Sequence, residues 1–260
     1  SIGNYAFENC SKLTSIHFSD NITSIGEGIF FMCKGLSSIE IDETNAAYKI
    51  IDGCMFNYDG SVLYTYPSKL NANNSYTVPE GVKTICYGAF SSCISLHEII
   101  LPDTIEIIDN CAFFNCLNLK NINLTSNIRS IGKNAFNNCY NLIEITLPDS
   151  VDTIETGTFS GCSNLEKINV SDNLKSYGEI SFFGCVKLQN FRFPKELQTI
   201  GCAAFTNCQS LTEVNIHNNI ITIAKGAFSH CKNLSTINVS SENNNYSAQD
   251  GVLYNKDGSC

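Results

Sequence analysis

The chain has 260 residues, 16 Lys and Arg against 25 Asp and Glu, a formal net charge of −9, no Trp, two Met and 14 Cys. So acidic a chain has no general attraction for phosphate backbones, which argues against a nucleic-acid partner, and no stretch approaches the ~18 apolar residues of a membrane span. A hydrophobic fraction of 43% with 16% charged residues excludes a disordered chain, and the cysteines fall short of the roughly 8–10% of a short secreted disulfide scaffold.

Nine cysteines follow one ruler. Cys10 and Cys33 lie 23 residues apart, and Cys93, Cys116, Cys139, Cys162, Cys185, Cys208 and Cys231 continue at that step. A phenylalanine stands three residues before each (Phe7, Phe30, Phe90 and onward to Phe228) and a leucine three after (Leu13, Leu36, Leu96 and onward to Leu234). Each unit opens on an Ile-Gly-like step, as at Ile2-Gly3, Ile25-Gly26, Ile131-Gly132 and Ile200-Gly201. A fixed period of this length marks a solenoid, whose units bury their apolar faces only against one another.

Within a unit, alternation puts Ile145 and Leu147 on one face of a strand. In chain order the equivalent pairs are Ile16/Phe18, Ile39/Ile41, Ile122/Leu124, Ile168/Val170, Phe191/Phe193 and Val214/Ile216. Strands one repeat apart must lie parallel, about 4.8 Å from each other. The opposite arm, Ala135-Phe136-x-x-Cys139-x-x-Leu142, spaces its apolar residues by three, which suits a 3₁₀ or short helical turn. Pro102, Pro148 and Pro194 mark strand exits, and Ile105, Val151 and Leu197 turn back inward. Each coil is expected to carry seven inward columns, one of them cysteine.

One unit is longer. Ile25 to Ile85 spans 60 residues, so residues 48–84 form a repeat with 14 extra positions. It contains two β-prone runs around Asp59-Gly60, a hairpin signal. The same text returns from Asp250-Gly251-Val252-Leu253-Tyr254 at the same phase, so 246–260 reads as the start of a second such repeat.

The unit Ile131-Gly132-x-x-Ala135-Phe136-x-x-Cys139-x-x-Leu142-x-x-Ile145-x-Leu147-Pro148 resembles the BspA-like leucine-rich repeat, over essentially the whole chain. Tyr177 and Ala224 stray from the Ile-Gly step, and Ile29 and Ser181 replace the usual Ala before Phe. The resemblance implies a right-handed, curved leucine-rich-repeat solenoid with a parallel β-sheet on the concave face, short strands and 3₁₀ or helical turns on the convex side, and one inserted β-hairpin. It also implies a non-enzymatic protein-binding module of the cell-surface or secreted adhesion type, taking protein or glycan ligands of a host or neighbouring cell. An intracellular scaffold for protein assembly and a passive spacer are the alternatives. Residues 1–260 are expected to form a single solenoid of about ten coils. Ser1 and Cys260 each fall inside a repeat and neither end reads as a polar cap, so the chain is expected to be a piece of a larger repeat protein.

The ladder cysteines read as reduced packing residues in a slot too narrow for leucine. Bridges between rungs have permitted Cα spacing, but in-phase parallel side chains suit them poorly. No Cys-x-x-Cys occurs and His17, His97, His217 and His230 form no ligand spacing, so no metal and no cofactor is expected. Off the ladder stand Cys54, Cys86, Cys111, Cys202 and Cys260; Cys86 and Cys111, in nearby phases, are the candidate disulfide.

No Gly-x-Ser-x-Gly, phosphate loop or paired-acid context interrupts the repeat, so no catalytic residue is assigned. Binding is expected at the outward strand positions: Glu98, Asn121, Asn123, Glu144, Thr146, Lys167, Asn169, Asn190, Arg192, Glu213, Asn215 and Asn238. The asparagine stripe Asn123, Asn169, Asn215 and Asn238 offers amides that donate and accept, although an Asn-rich composition by itself accounts for it. The hairpin tyrosines Tyr58, Tyr64 and Tyr66 are a rival contact site, or else pack on the neighbouring coil. Asn-x-Ser/Thr triplets at Asn21, Asn73, Asn123, Asn169 and Asn233 matter only in a secretory context; Asn73 is the candidate glycosylation site.

Overall fold

The computed structural model describes residues 1–70, 74–189, 192–249 and 251–256. It is a parallel β-solenoid of about ten turns. Among the described residues the expected strands pair in parallel at the 23-residue step, in four separate sheets, and the strand expected at Phe191/Phe193 lies partly outside those residues. Ser15–Phe18 pairs with Ser38–Ile41, placing Ile16 against Ile39. Glu98–Ile100 lies between Ser75–Thr77 and Asn121–Ile122. Glu144–Thr146 pairs with Lys167–Asn169 and Glu213–Ile216 with Thr236–Val239, all parallel.

A second parallel ladder runs through the Ile-Gly steps. Thr84–Ile85, Ile107–Ile108 and Ser130–Ile131 stack in one sheet, and Thr153–Ile154, Ser176–Tyr177, Thr199–Ile200 and Thr222–Ile223 in another. These strands are two residues long, too short for alternation to announce them. The coil starting at Ile131 therefore buries nine positions, not the expected seven: Ile131, Ala135, Phe136, Cys139, Leu142, Ile145, Leu147, Pro148 and Val151.

The third side of the coil is where the expectation of 3₁₀ or helical turns fails. No helix forms among the described residues; the arm is a run of turns. Ala135, Asn137 and Cys139 N–H bond within the coil, to the carbonyls of Gly132, Asn134 and Phe136. Between them Asn134, Phe136 and Asn138 N–H cross to Thr156, Thr158 and Ser160 of the next coil at 2.7–2.9 Å. A helix would turn every amide along its own axis. Here every second one faces a neighbour, because Asn134 and Asn138 sit at φ 55° and 60°. The same two columns are left-handed in other coils, for example at Gly157 and Gly161, Ile180 and Gly184, Ala203 and Asn207. Gly, Asn and Asp tolerate that region readily, whereas a β-branched residue such as Ile180, at φ 48°, does not.

Inside, the phenylalanine column is a continuous stack. From Phe90 to Phe228 successive rings lie 5.0–5.7 Å apart and within 17° of parallel. Burying each such ring contributes about 1.5–3 kcal/mol, so the column supplies much of the adhesion between coils. Cysteine fills the neighbouring slot with a hydrogen bond as well as a small volume. The thiols of Cys116, Cys139, Cys162, Cys185, Cys208 and Cys231 donate to the phenylalanine carbonyl of the preceding coil at 3.0–3.2 Å. Cys10, in the first coil, is exposed.

The long repeat adds a meander. Tyr48–Ile51 and Cys54–Asn57 pair antiparallel, and Val62–Thr65 follows antiparallel around the turn holding Gly60 (φ 84°). Val62–Thr65 then runs parallel to Thr84–Ile85 and so rejoins the second ladder. The middle strand is a partition: Met55 packs into an N-terminal core with Phe30 and Tyr48, while Cys54 and Phe56 face the main core. The second copy repeats the first hairpin in register, with Tyr48 opposite Asn57 and Tyr246 opposite Asn255.

Both hairpins hang from a buried asparagine. The Asn45 amide nitrogen donates to Ser19 and Ile22 carbonyls, and its oxygen accepts from Ala47 and Tyr48 N–H. Asn243 does the same with His217, Ile220, Asn245 and Tyr246. A side chain that satisfies four backbone groups at once holds the loop where the next strand must start.

Candidate binding face

The outward positions of the first ladder stand where alternation puts them. Glu98, Asn121, Asn123, Glu144, Thr146, Lys167, Arg192, Glu213, Asn215 and Asn238 are exposed and Asn169 is half-buried; Asn190 and Asn73 lie outside the described residues. They gather into two open depressions. One, of about 560 Å³, is lined by Glu98, Asn121, Asn123, Glu144 and Thr146 with Ile100. The other, of about 660 Å³, is lined by Arg192, Glu213 and Asn215 together with Lys195, His217 and Asn219.

Much of the polar capacity of this face is spent between coils. Lys167 Nζ and Asn169 Nδ2 both reach Glu144 Oε1, at 2.8 and 2.9 Å, and Asn169 Nδ2 also reaches Thr146 Oγ1 at 2.9 Å. The hydrogen bonds from Lys167 and Asn169, with the nearby positive charge, hold the Glu144 carboxyl below its usual range. Asn238 Nδ2 donates to Glu213 Oε1 and Asn215 Oδ1. Asn123 turns its amide onto the Leu101 backbone, accepting from its N–H at 2.9 Å and donating to its carbonyl at 3.1 Å. The stripe is thus partly a ladder of cross-strand bonds, the sheet's usual unit of stabilisation.

The second depression holds groups that strand alternation does not reveal. Asn219 belongs to the corner after Glu213–Ile216, and Lys195 follows Pro194 at the matching corner one coil earlier. Asp172 draws Arg192 and Lys195 together. Partial desolvation works against its charge, but hydrogen bonds from Lys195 and Arg192 keep its carboxyl below the usual range. His217 Nε2 meets the Pro194 carbonyl at 2.8 Å and its Nδ1 accepts from Asn219 N–H. The proline column in the sequence is the signal that places these residues.

The hairpin tyrosines divide. Tyr58 is 61% exposed. Tyr64 is half-buried with its ring edge-on to Tyr48 at 5.4 Å. Tyr66 is no surface contact: it is 2% exposed and stacks on Phe90 at 5.3 Å, filling the phenylalanine column in the long repeat. Cys86 and Cys111 are free thiols. Burial, with Asp109 and Glu27 nearby, pushes the Cys86 thiol up to about 12; burial also raises that of Cys111, against a hydrogen bond from Tyr87. Among the described residues no three His, Cys, Asp or Glu side chains gather as a ligand set, and no helix is long and apolar enough to cross a membrane.

Residues 1–76, 64–182 and 129–256 match the BspA type leucine rich repeat region, in six copies. The chain belongs to the BspA-type leucine-rich repeat family. Among solved structures it is similar to a leucine-rich repeat protein from Eubacterium ventriosum at 26% identity and a TM-score of 0.80, covering 93% of this chain and 63% of that one. The chain therefore spans less than two thirds of that relative. A leucine-rich repeat protein from Bacteroides ovatus shares the fold at 23% identity and a TM-score of 0.52, covering 93% of this chain and 77% of that one. No curated protein matches. The BspA-type repeat is a non-enzymatic scaffold and a protein-interaction module.

Proposed function

We propose that this chain is a cell-surface or secreted adhesion module that binds protein or glycan ligands, and not nucleic acid, through the outward face of its first strand ladder. The observation that carries the reading is the pair of open depressions on that face, one on either side of the Glu144–Lys167–Asn169 cluster. Family resemblance supports the surface location. Glu98, Asn121, Glu144 and Thr146 would contact ligand in the first depression, and Arg192, Glu213 and Asn215 in the second.

Binding of the purified chain to immobilised extracellular-matrix proteins and to a glycan array tests it. Arg192→Glu and Asn121→Lys should each abolish the captured signal while leaving the thermal unfolding midpoint in place. Undiminished binding by both variants would remove the strand face from the reading. Thirteen free thiols among the described residues favour a second reading, a scaffold in a reducing compartment. Protease shaving of intact cells separates the two: the adhesion module is lost from the cells and the scaffold survives.

A further inference from the structure

A second groove lies away from the strand face, at the corner where the turn arm passes into the strand. It has a volume of about 400 Å³ and is lined by Lys34, Lys69, Ser92, Ile94, Asn115, Leu117 and Tyr140. The column one residue past the ladder cysteine supplies most of it. That column reads Ile94, Leu117 and Tyr140 in three successive coils before it reverts to Ser163. Ile94 is 40% and Tyr140 43% exposed.

The long repeat completes the groove. Its loop is clamped onto the coil before it, Ser68 Oγ donating to the Cys33 carbonyl and Lys69 N–H to the Leu36 carbonyl, both at 2.7 Å. That brings Lys69 to the mouth beside Lys34. In a chain of net charge −9 the two lysines share a groove that no Asp or Glu lines. Neither forms an ion pair among the described residues, although seven other pairs do form. Two further groups are left open. The Ser92 hydroxyl is on a residue 2% exposed and has no hydrogen-bond partner, which is costly unless something else supplies one. Asn115 accepts through Oδ1 from Asn138, which leaves its Nδ2 free to donate.

We propose that this corner groove is a second binding site, for an extended peptide segment of alternating acidic and apolar residues. The lysines take a carboxylate, Ile94, Leu117 and Tyr140 take the apolar side chain that follows, and Ser92 and Asn115 bond the peptide backbone. The chemistry of the wall selects a peptide over a sugar. Three apolar side chains and two neutral polar groups suit one buried side chain and one amide, whereas a sugar ring presents hydroxyls on nearly every carbon. Apolar walls with a few placed polar groups are typical of small binding sites. The site is independent of the strand face, since none of its residues lies there.

The test is fluorescence polarisation with a fluorescein-labelled peptide alternating Asp and Leu, beside the same peptide with Asn for Asp. The Asp peptide should bind, and K34E/K69E should weaken it about tenfold or more. Tyr140→Ser should weaken it too, added salt should weaken it by screening, and the Asn peptide should bind poorly. Arg192→Glu, on the strand face, should have no effect, so failure of this site and failure of the strand face are read separately. Absence of Asp-peptide binding, equal binding by K34E/K69E and by Tyr140→Ser, or tighter binding of a uronic-acid oligosaccharide would each overturn the proposal.

Discussion

Cys162 Sγ lies 3.1 Å from the carbonyl oxygen of Phe136, the same oxygen that accepts the Cys139 N–H at 3.1 Å. A carbonyl has two lone pairs, and the repeat uses one within the coil and the other between coils. Cysteine is the residue that does this in so narrow a slot. Cys162→Ala should lower stability by about 1–3 kcal/mol, through a lost bond and a small cavity. Cys162→Leu should cost as much by overpacking. Urea midpoints at constant slope check both.

The thiols also make stability depend on alkaline pH. Burial pushes Cys116 and Cys162 from an ordinary value near 9 up to about 12. Their folded values are raised, so their contribution is complete below about pH 9 and is lost as pH rises toward 12. Each loses about 1.4 kcal/mol per pH unit within that window. Unfolding midpoints measured from pH 7 to 11 should be flat and then fall steeply beyond about 9. A flat profile throughout would show that the thiolates find water.

Labelling should separate the cysteines by position. Cys10 and Cys202 are exposed and should alkylate in the native protein within minutes. The buried ladder should alkylate only after unfolding. Peptide mapping by mass spectrometry reads this, and a Cys86–Cys111 disulfide would appear in the same map as a linked peptide.

The buried asparagines should be strong points. Asn243→Ala leaves two carbonyls and two N–H groups without their partner and should destabilise by about 2–4 kcal/mol. Asn45→Ala should behave alike at the first hairpin. Hydrogen exchange should quicken at Tyr246 in Asn243→Ala and at Tyr48 in Asn45→Ala before it does in the central coils.

The left-handed columns give opposite outcomes at two positions in phase. Ile180→Gly relieves a β-branched residue at φ 48° and should stabilise by about 1 kcal/mol. Gly157→Ala should destabilise, because its φ is 65° and the added Cβ would collide with Asn134 Oδ1. Thermal unfolding of the two variants side by side checks the sign.

The sequence by itself determined the period, the parallel pairing and most of the core. Phe136, Cys139, Leu142 and Ile145 recur at one spacing, and a residue that must be buried in every coil can only point inward. It also located the outward strand positions, since alternation is a property of any strand. The candidate face was legible as far as alternation reaches: Glu144 and Lys167 could be listed, but not their shared bond with Asn169.

Tertiary structure alone decided the rest. The second ladder rests on strands of two residues, which leave no alternation to read. The turn arm looked helical because its apolar spacing is three; what refuses the helix is the neighbouring coil, which takes the N–H of Asn134, Phe136 and Asn138. Tyr66 read equally as a contact or as a packing residue, because an insertion shifts its phase; the ring stack needed a member there and took it. The cysteine ladder shows the same division. Its spacing was plain from the chain, but the bond from each thiol to a phenylalanine carbonyl exists only once coils stack, because it joins residues 26 positions apart.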